Sequence, residues 1–440
     1  MSPIFLILCL VLLVAQLKLP RPYAFAPLLV AACHFQNVPV VEIGGALTIT
    51  KLVILVGLFR AVREQSLAWS SQKRLDLWVA IWAGVMIFSG FLHDPKDHNP
   101  ITIRLSQVHN VLGAYLYARA FLRSQDDILR FCKCLAVVLL PLALMVAVEK
   151  ATTWNLYQTI GGGTEGSQIR EGQVRATGPF SHPILLGTFA ATSLPLVAIL
   201  YRQHRRWAIA GAAGCVMVVF CSASSGPIMT LLSGLLALGF WRFRESVGWI
   251  RRLAICVIIV LHVVMQAPVW YLLARVNVVG GSTGWHRAEL IQKAVDHIGD
   301  WWLIGTDYTR HWFPYGVGWS EYHTDITNHY LHMGVTGGLP LMLCFIMILV
   351  KAFQLLGWRI RLMRRARDVS EFNLWCAGAA LFAHCVTFFS ISYFDQSTVT
   401  FSLLLGLVPG LCAAKLNSAA ARDTTSTGPS LPSSSNATSV

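Results

Sequence analysis

Three stretches of this chain set arginine, histidine and acidic side chains where an anion could be held and a proton moved. The first is Arg175-Ala-Thr-Gly-Pro-Phe-Ser181-His182-Pro183. Ser181 is a good helix N-cap and Pro183 suits a first helical turn, so a helix begins here with Arg175 beside its positive end. The second is Gly284-Trp285-His286-Arg287, followed by Leu290, Ile291, Ala294, Val295 and Ile298. That spacing predicts an amphipathic helix along a membrane interface, capped by Ser282 or Thr283, with Arg287 in its first turn. A cation there opposes the helix dipole, which makes sense if an anion binds between them. The third is Asp325-Ile-Thr327-Asn328-His329-Tyr330, where Thr327 or Asn328 caps the next helix. Three helix N-termini, two arginines and a histidine on one face suit a phosphate or pyrophosphate. His329 or His323 could serve as a general base, since imidazole titrates near neutral pH.

The elements that must carry these residues lie in lipid. The chain has 440 residues, 55% hydrophobic and only 13% charged. A soluble domain carries about a quarter charged residues, so this reads as an all-α, polytopic integral membrane protein. Apolar segments fall at Pro3–Leu17, Ala24–Phe35, Ala46–Phe59, Leu77–Leu92, Leu105–Leu122, Leu129–Val148 and Phe180–Tyr201. They continue at Ala208–Cys221, Ile228–Phe240, Leu253–Val269, Asn328–Leu356, Leu374–Ile391 and Thr398–Ala414. That is about twelve or thirteen spans in one membrane domain, 1–414, the second of them short. The first reads as a retained span rather than a signal peptide, because no basic residue precedes it.

The net charge of +14 sits in short loops, on alternate connections: Arg60 to Arg74, Arg119 to Lys133, Arg202 to Arg206, Arg242 to Arg252 and Arg359 to Arg367. This is the positive-inside pattern and argues against nucleic-acid binding. The opposite connections then lie outside: His93–Thr102, Glu149–Pro179, Ser222–Pro227, a loop over residues 271–328, and Ser392–Ser397. The Ser/Thr-rich tail, residues 415–440, is expected to be a disordered cytoplasmic segment, which makes its Asn436 sequon a chance match. None of the eleven cysteines falls in the two long outer loops, and there is no CxxC pair, so no disulfide framework or zinc site is expected.

Plainer readings stand beside these. Arg170, Arg175 and Arg287 can contact anionic headgroups. Trp301, Trp302, Trp312 and Trp319 read as interface anchors, and Gly161-Gly-Gly163 as a hinge. Glu149 and Asp395, at outer span ends, are alternative bases.

The run from Arg175 to Gly187 resembles a pattern in the O-antigen ligase and polymerase superfamily of bacterial membrane proteins. A second resemblance lies in Asn328-His-Tyr-Leu331 with Gly334-Val-Thr-Gly337-Gly-Leu339, after a long outer loop. The family often shows His-Asn-x-Tyr-Leu and then Gly-x-x-Gly-Leu at this spacing. Here Thr327 stands where the family has His, and His329 is displaced by two positions. The resemblance implies about a dozen helices with a large periplasmic loop. It also implies transfer or polymerisation of a glycan from an undecaprenyl-pyrophosphate donor, with a saccharide, lipid A core or other hydroxyl as acceptor. Arg175 and Arg287 match the family's essential arginines. His329, or failing it His323, would be the base, and Asn328, His286, His182 and His323 would line the substrate. No cofactor or metal is demanded, because the diphosphate is already activated. The implied location is the bacterial inner membrane with a periplasmic active face. The competing class is a transporter or flippase that binds the same lipid-linked glycan without breaking a bond; it would more naturally carry charges midway through its spans.

Overall fold

The computed structural model describes residues 3–36, 38–42, 46–66, 73–95, 99–160, 167–275, 284–313, 317 and 320–413. The chain opens with α1 (Pro3–Lys18), α2 (Ala26–His34), α3 (Ile49–Arg63) and α4 (Lys73–Gly90). Strands β1 (Pro39–Glu42) and β2 (Ala46–Thr48) pair antiparallel between α2 and α3. Then come α5 (Pro100–Val108), a π-helical turn (His109–Gly113), α6 (Ala114–Phe121), α7 (Gln125–Thr152) and the one-turn α8 (Tyr157–Ile160). A second hairpin, β3 (Gln168–Arg170) and β4 (Gln173–Arg175), precedes α9 (Pro183–Ala198), α10 (Arg205–Cys221), α11 (Ser225–Gly239) and α12 (Val247–Val264). The long loop holds α13 (Gly284–Asp296) and α14 (Ile298–Trp301), and α15 (His329–Arg365), α16 (Ser370–Thr387) and α17 (Asp395–Ala413) close the chain.

Six helical stretches among the described residues are long and apolar enough to cross a bilayer. The protein is an all-α polytopic membrane protein. One expected span shortens: α2 has nine residues, and at about 1.5 Å per residue it reaches less than half of a hydrocarbon layer. Its Pro27, Leu28, Leu29, Ala31 and Ala32 are buried, so protein rather than lipid covers this short helix. Boundaries follow side-chain caps. Thr48 accepts from Lys51 N, Asn99 from Ile101 N, and Ser124 forms a capping box with Asp127.

Helices α9 and α17 are the centre of the bundle, with 83% of each apolar stretch buried, whereas none of α12 is buried. A helix of valine and isoleucine left uncovered by protein is suited to acyl chains. The connections divide into two sets that touch only within themselves in the contacts described here. On the basic side Arg244 and Arg364 share Glu371, and Arg119 pairs with Asp76. On the other side His93 meets Asp307, Arg175 meets Ser224, and Ser181 meets Asp395. The alternation of basic loops therefore gathers the candidate residues at one end of the bundle.

Helix α15 is interrupted at Gly337 and Gly338, the latter at φ 74°. The end of α14 docks into this kink. Leu339 N donates to Trp302 O and Thr306 N to Val335 O. A Cβ at Gly334 would lie 2.5 Å from the Trp301 ring, and one at Gly338 would strike the Leu303 carbonyl. The glycines of the Gly334–Leu339 run thus let the long loop seat against α15.

Candidate functional site

The arginines come first from a hairpin. Glu171 and Gly172 both have positive φ, 51° and 74°, as a two-residue turn between twisted strands requires. In the resulting register Gln168 faces Arg175 and Arg170 faces Gln173. Directly opposed residues share a face, and so do residues two apart, so Arg170 and Arg175 lie on the same side of the hairpin. Immediately after β4 the chain is pinned: Ala176 N donates to Cys221 O. The buried Glu149 carboxylate accepts from Thr177 N (2.9 Å), Gly178 N (2.8 Å), Thr177 Oγ1 and Ser167 Oγ. Glu149 is saturated with donors and only 1% exposed, so it anchors the Arg175 loop and is unsuited to act as a base.

Arg175 is turned into the outer end of the bundle, where its Nη2 donates to Ser224 Oγ at 2.6 Å. Ser224 is the N-cap of α11. Arg287, from α13, reaches the same helix end: a Cβ built on Gly226 would lie 3.9 Å from Arg287 Nη2. The Nε atoms of Arg175 and Arg287 are both buried without a hydrogen-bond partner. Among the described residues neither guanidinium has a carboxylate partner. Burial, and then the like charge of Arg170, pushes both below the ordinary arginine range. Arg175 and Arg287 thus share one helix N-terminus, itself the positive end of a dipole, with the Arg170 charge acting on both. A multiply charged anion is the ligand that would relieve all of these strains together.

His182, not Ser181, caps α9. Its Nδ1 accepts from Ile184 N at 3.2 Å, with Pro183 in the first turn. The Ser181 hydroxyl donates to Asp395 Oδ2 at 2.6 Å. Because Nδ1 accepts, Nε2 of neutral His182 carries the proton. Burial and then the Arg175 charge lower its pKa to about 4, so the ring is a neutral donor near neutral pH. Gly187, the end of the same motif, gives room for Ser222 and Pro227: a Cβ would lie 2.5 Å from Ser222 Oγ.

The loop side brings further groups to the rim. His286 packs against Phe313 at 5.2 Å between ring centroids and acts electrostatically on Asp325. Desolvation holds the Asp325 carboxyl above its ordinary range, with His286 opposing. His323 shares its Nδ1 with Ser320 Oγ at 2.8 Å and lies on the side of His332 and Arg104. Asn328, not Thr327, caps α15, its side chain accepting from Leu331 N. The ring of His329 turns into an aromatic cluster of Phe345, Phe388 and Tyr393. Its Nδ1 accepts from Tyr393 N at 3.1 Å. That fixes the proton on Nε2 of the neutral ring, which makes His329 a donor and leaves it no free lone pair for a proton.

Other expectations for the loop change. Trp301 and Trp312 are buried rather than set at a lipid interface; the Trp301 indole donates to Ala294 O. Of the four expected anchors, Trp302 is exposed, and Trp319 lies outside the described residues, as do Ser282, Thr283 and Gly161-Gly-Gly163. The apolar stripe of α13 splits: Leu290 and Ala294 pack with Trp301, Trp312, Phe313 and Val335, while Val295 and Ile298 stay exposed. Helical spacing shows an apolar face but not whether protein or lipid covers it.

Arg175, Arg287 and His182 are therefore brought together, joined by Arg170, which had a plainer headgroup reading. His286 and Asp325 form the adjoining rim, whereas His329 lies in the core behind it. Ser224 and Gly226 escape sequence reasoning, since nothing local in Ser224-Ser-Gly226-Pro227 marks a meeting point for residues some 50 positions away on either side. No protein-family model and no curated protein matches this chain.

Proposed function

We propose that this protein is a membrane glycosyltransferase of the O-antigen ligase or polymerase type. It would use an undecaprenyl-pyrophosphate-linked glycan at the periplasmic face of the bacterial inner membrane and serve surface polysaccharide synthesis. The observation that carries the reading is the convergence of Arg175 and Arg287 on the N-terminus of α11, with the Arg170 charge acting on both. Neither Arg175 nor Arg287 has a carboxylate partner among the described residues. A pyrophosphate ester supplies the missing charge in two adjacent groups, and its prenyl chain belongs in the surrounding lipid.

In this reading the acceptor hydroxyl attacks the anomeric carbon of the donor sugar. The bond from that carbon to the pyrophosphate oxygen breaks, and undecaprenyl pyrophosphate leaves with the electron pair. Arg175 and Arg287 hold the charge that develops on the leaving oxygens, a contribution of about 10²–10³ in rate per donor in comparable sites. Asp325 takes the hydroxyl proton: desolvation raises its carboxyl pKa, and it lies within electrostatic reach of His286, on the helix that carries Arg287. His182 supplies an N–H group, and His329, buried in the core behind the site, is not the base.

Purified protein, given a lipid-linked glycan and a polysaccharide acceptor, is expected to form the lengthened or ligated product. Arg175→Ala and Arg287→Ala are expected to cut that rate at least 100-fold while retaining membrane insertion. Wild-type protein that binds the donor and never transfers it would sink the enzyme reading and favour a carrier.

A further inference from the structure

The long loop holds a group of side chains that the proposed glycan chemistry does not use. His297 follows α13, Asp300 lies in α14 one turn on, and His311 sits on the 310–312 turn. The His311 Nε2 atom is 3.0 Å from Asp300 Oδ2, and His297 Nδ1 is 3.4 Å from the same oxygen. One nitrogen from each ring and the carboxylate oxygen all lie within 4.8 Å of one another. Among the described residues this is the one group of three or more such side chains so arranged.

The rings are held from outside. His297 stacks on buried Trp312 at 5.7 Å with its plane within 8°, and His311 stacks on Tyr308 at 4.9 Å and 19°. Stacking fixes their planes and leaves the named nitrogens facing the carboxylate. All three side chains are between 32% and 41% exposed, so an ion and its waters can reach them.

We infer that His297, Asp300 and His311 form a binding site for a divalent transition-metal ion of the zinc class. Two imidazoles and one carboxylate are the donors such an ion takes, and they leave further positions for water. Zinc bonds of about 2.0–2.2 Å place tetrahedral ligand atoms about 3.3–3.6 Å apart. The separations to Asp300, 3.0 and 3.4 Å, are already near this, and a small in-plane shift of the partly exposed His311 ring closes the third. A hard ion such as Mg²⁺ or Ca²⁺ prefers oxygen donors and fits poorly.

The site's place in the fold gives it a bracing role. It joins the end of the α13–α14 unit to the turn that leads into Phe313, and Phe313 packs on His286 at the start of α13. A bound ion would therefore close a ring of contacts around α13. The inference stands on this geometry alone and does not depend on the glycosyltransferase reading.

The test uses tag-free, full-length protein in detergent, stripped with a chelator and titrated with ZnCl₂ by calorimetry. The expected result is one Zn²⁺ per chain, with a rise in the thermal unfolding midpoint on binding. His311→Ala and Asp300→Asn are expected to weaken binding at least tenfold and to lose the thermal shift. Co²⁺ in the wild type should give visible d–d bands without the thiolate charge-transfer band that the cysteines would produce. That spectrum decides the matter even if a variant fails to fold. No saturable Zn²⁺ binding by the wild type, unchanged binding by the folded variants, or a thiolate band would each overturn the site.

Discussion

Two buried charges flank the start of the loop that follows β4, and they are treated in opposite ways. Glu149 has four donors gathered on its carboxylate. Arg175, three residues or fewer from three of those donors, has one hydroxyl partner and a buried Nε with none. Arg287 has a buried, unpartnered Nε as well. A satisfied buried charge holds a structure together, whereas an unsatisfied one stores a demand for a ligand. The same loop thus anchors itself with its acid and offers its base. The comparison separates position from chemistry: Glu149 makes the site, and the arginines use it.

The largest effect should come from the anchor. Glu149→Ala orphans two buried amides, at about 1–3 kcal/mol each, and releases the segment that carries Arg175. Thermal unfolding in detergent is expected to shift down by a corresponding amount, with transfer lost. An unchanged midpoint would break the contrast at its structural end.

Next in size is Asp325→Asn. The Asp325 pKa is raised in the folded protein, so its ionised form is the disfavoured one and stability is lost, not gained, as pH rises through it. Activity runs the other way, because only the carboxylate accepts a proton. Transfer should rise with pH through the raised carboxylate range, and Asp325→Asn should lower the rate by about 10²–10⁴ and remove that limb. Stability should be unchanged or slightly higher. A surviving acidic limb in the variant would return the proton acceptor to His323.

The smallest effect belongs to His329. His329→Asn keeps an acceptor for Tyr393 N–H and is expected to retain transfer within about tenfold, below the general-base range. A loss as large as that of Asp325→Asn would make the ring the base after all and require its bond to Tyr393 to break in the cycle.

Much of the architecture is legible in the sequence because lipid imposes simple rules. Basic residues on alternate loops sort the connections into two ends, and the structure gathers Arg175, Arg287 and His182 at one of them. Asn328 caps α15 as its side chain allows, and the Gly334–Gly337–Gly338 spacing has its reason in the close seat of Trp301 and Leu303. Contacts between remote segments are less legible. His182 rather than Ser181 caps α9, and the Ser181 hydroxyl instead reaches the distant Asp395. The α13 stripe looks the same whether Trp301 or acyl chains cover it. Ser224 and Gly226 carry no local mark at all. His329 reads as a base from its type alone, until the Tyr393 amide fixes its tautomer.

The central claim is that the α11 N-terminus holds pyrophosphate through Arg175 and Arg287. Its most direct measurement is the affinity of purified protein in detergent for undecaprenyl pyrophosphate, in wild type, Arg175→Ala and Arg287→Ala. A fall of tenfold or more is expected for each variant, with Asp325→Asn binding as the wild type does. Equal affinity across wild type and both arginine variants would contradict the account.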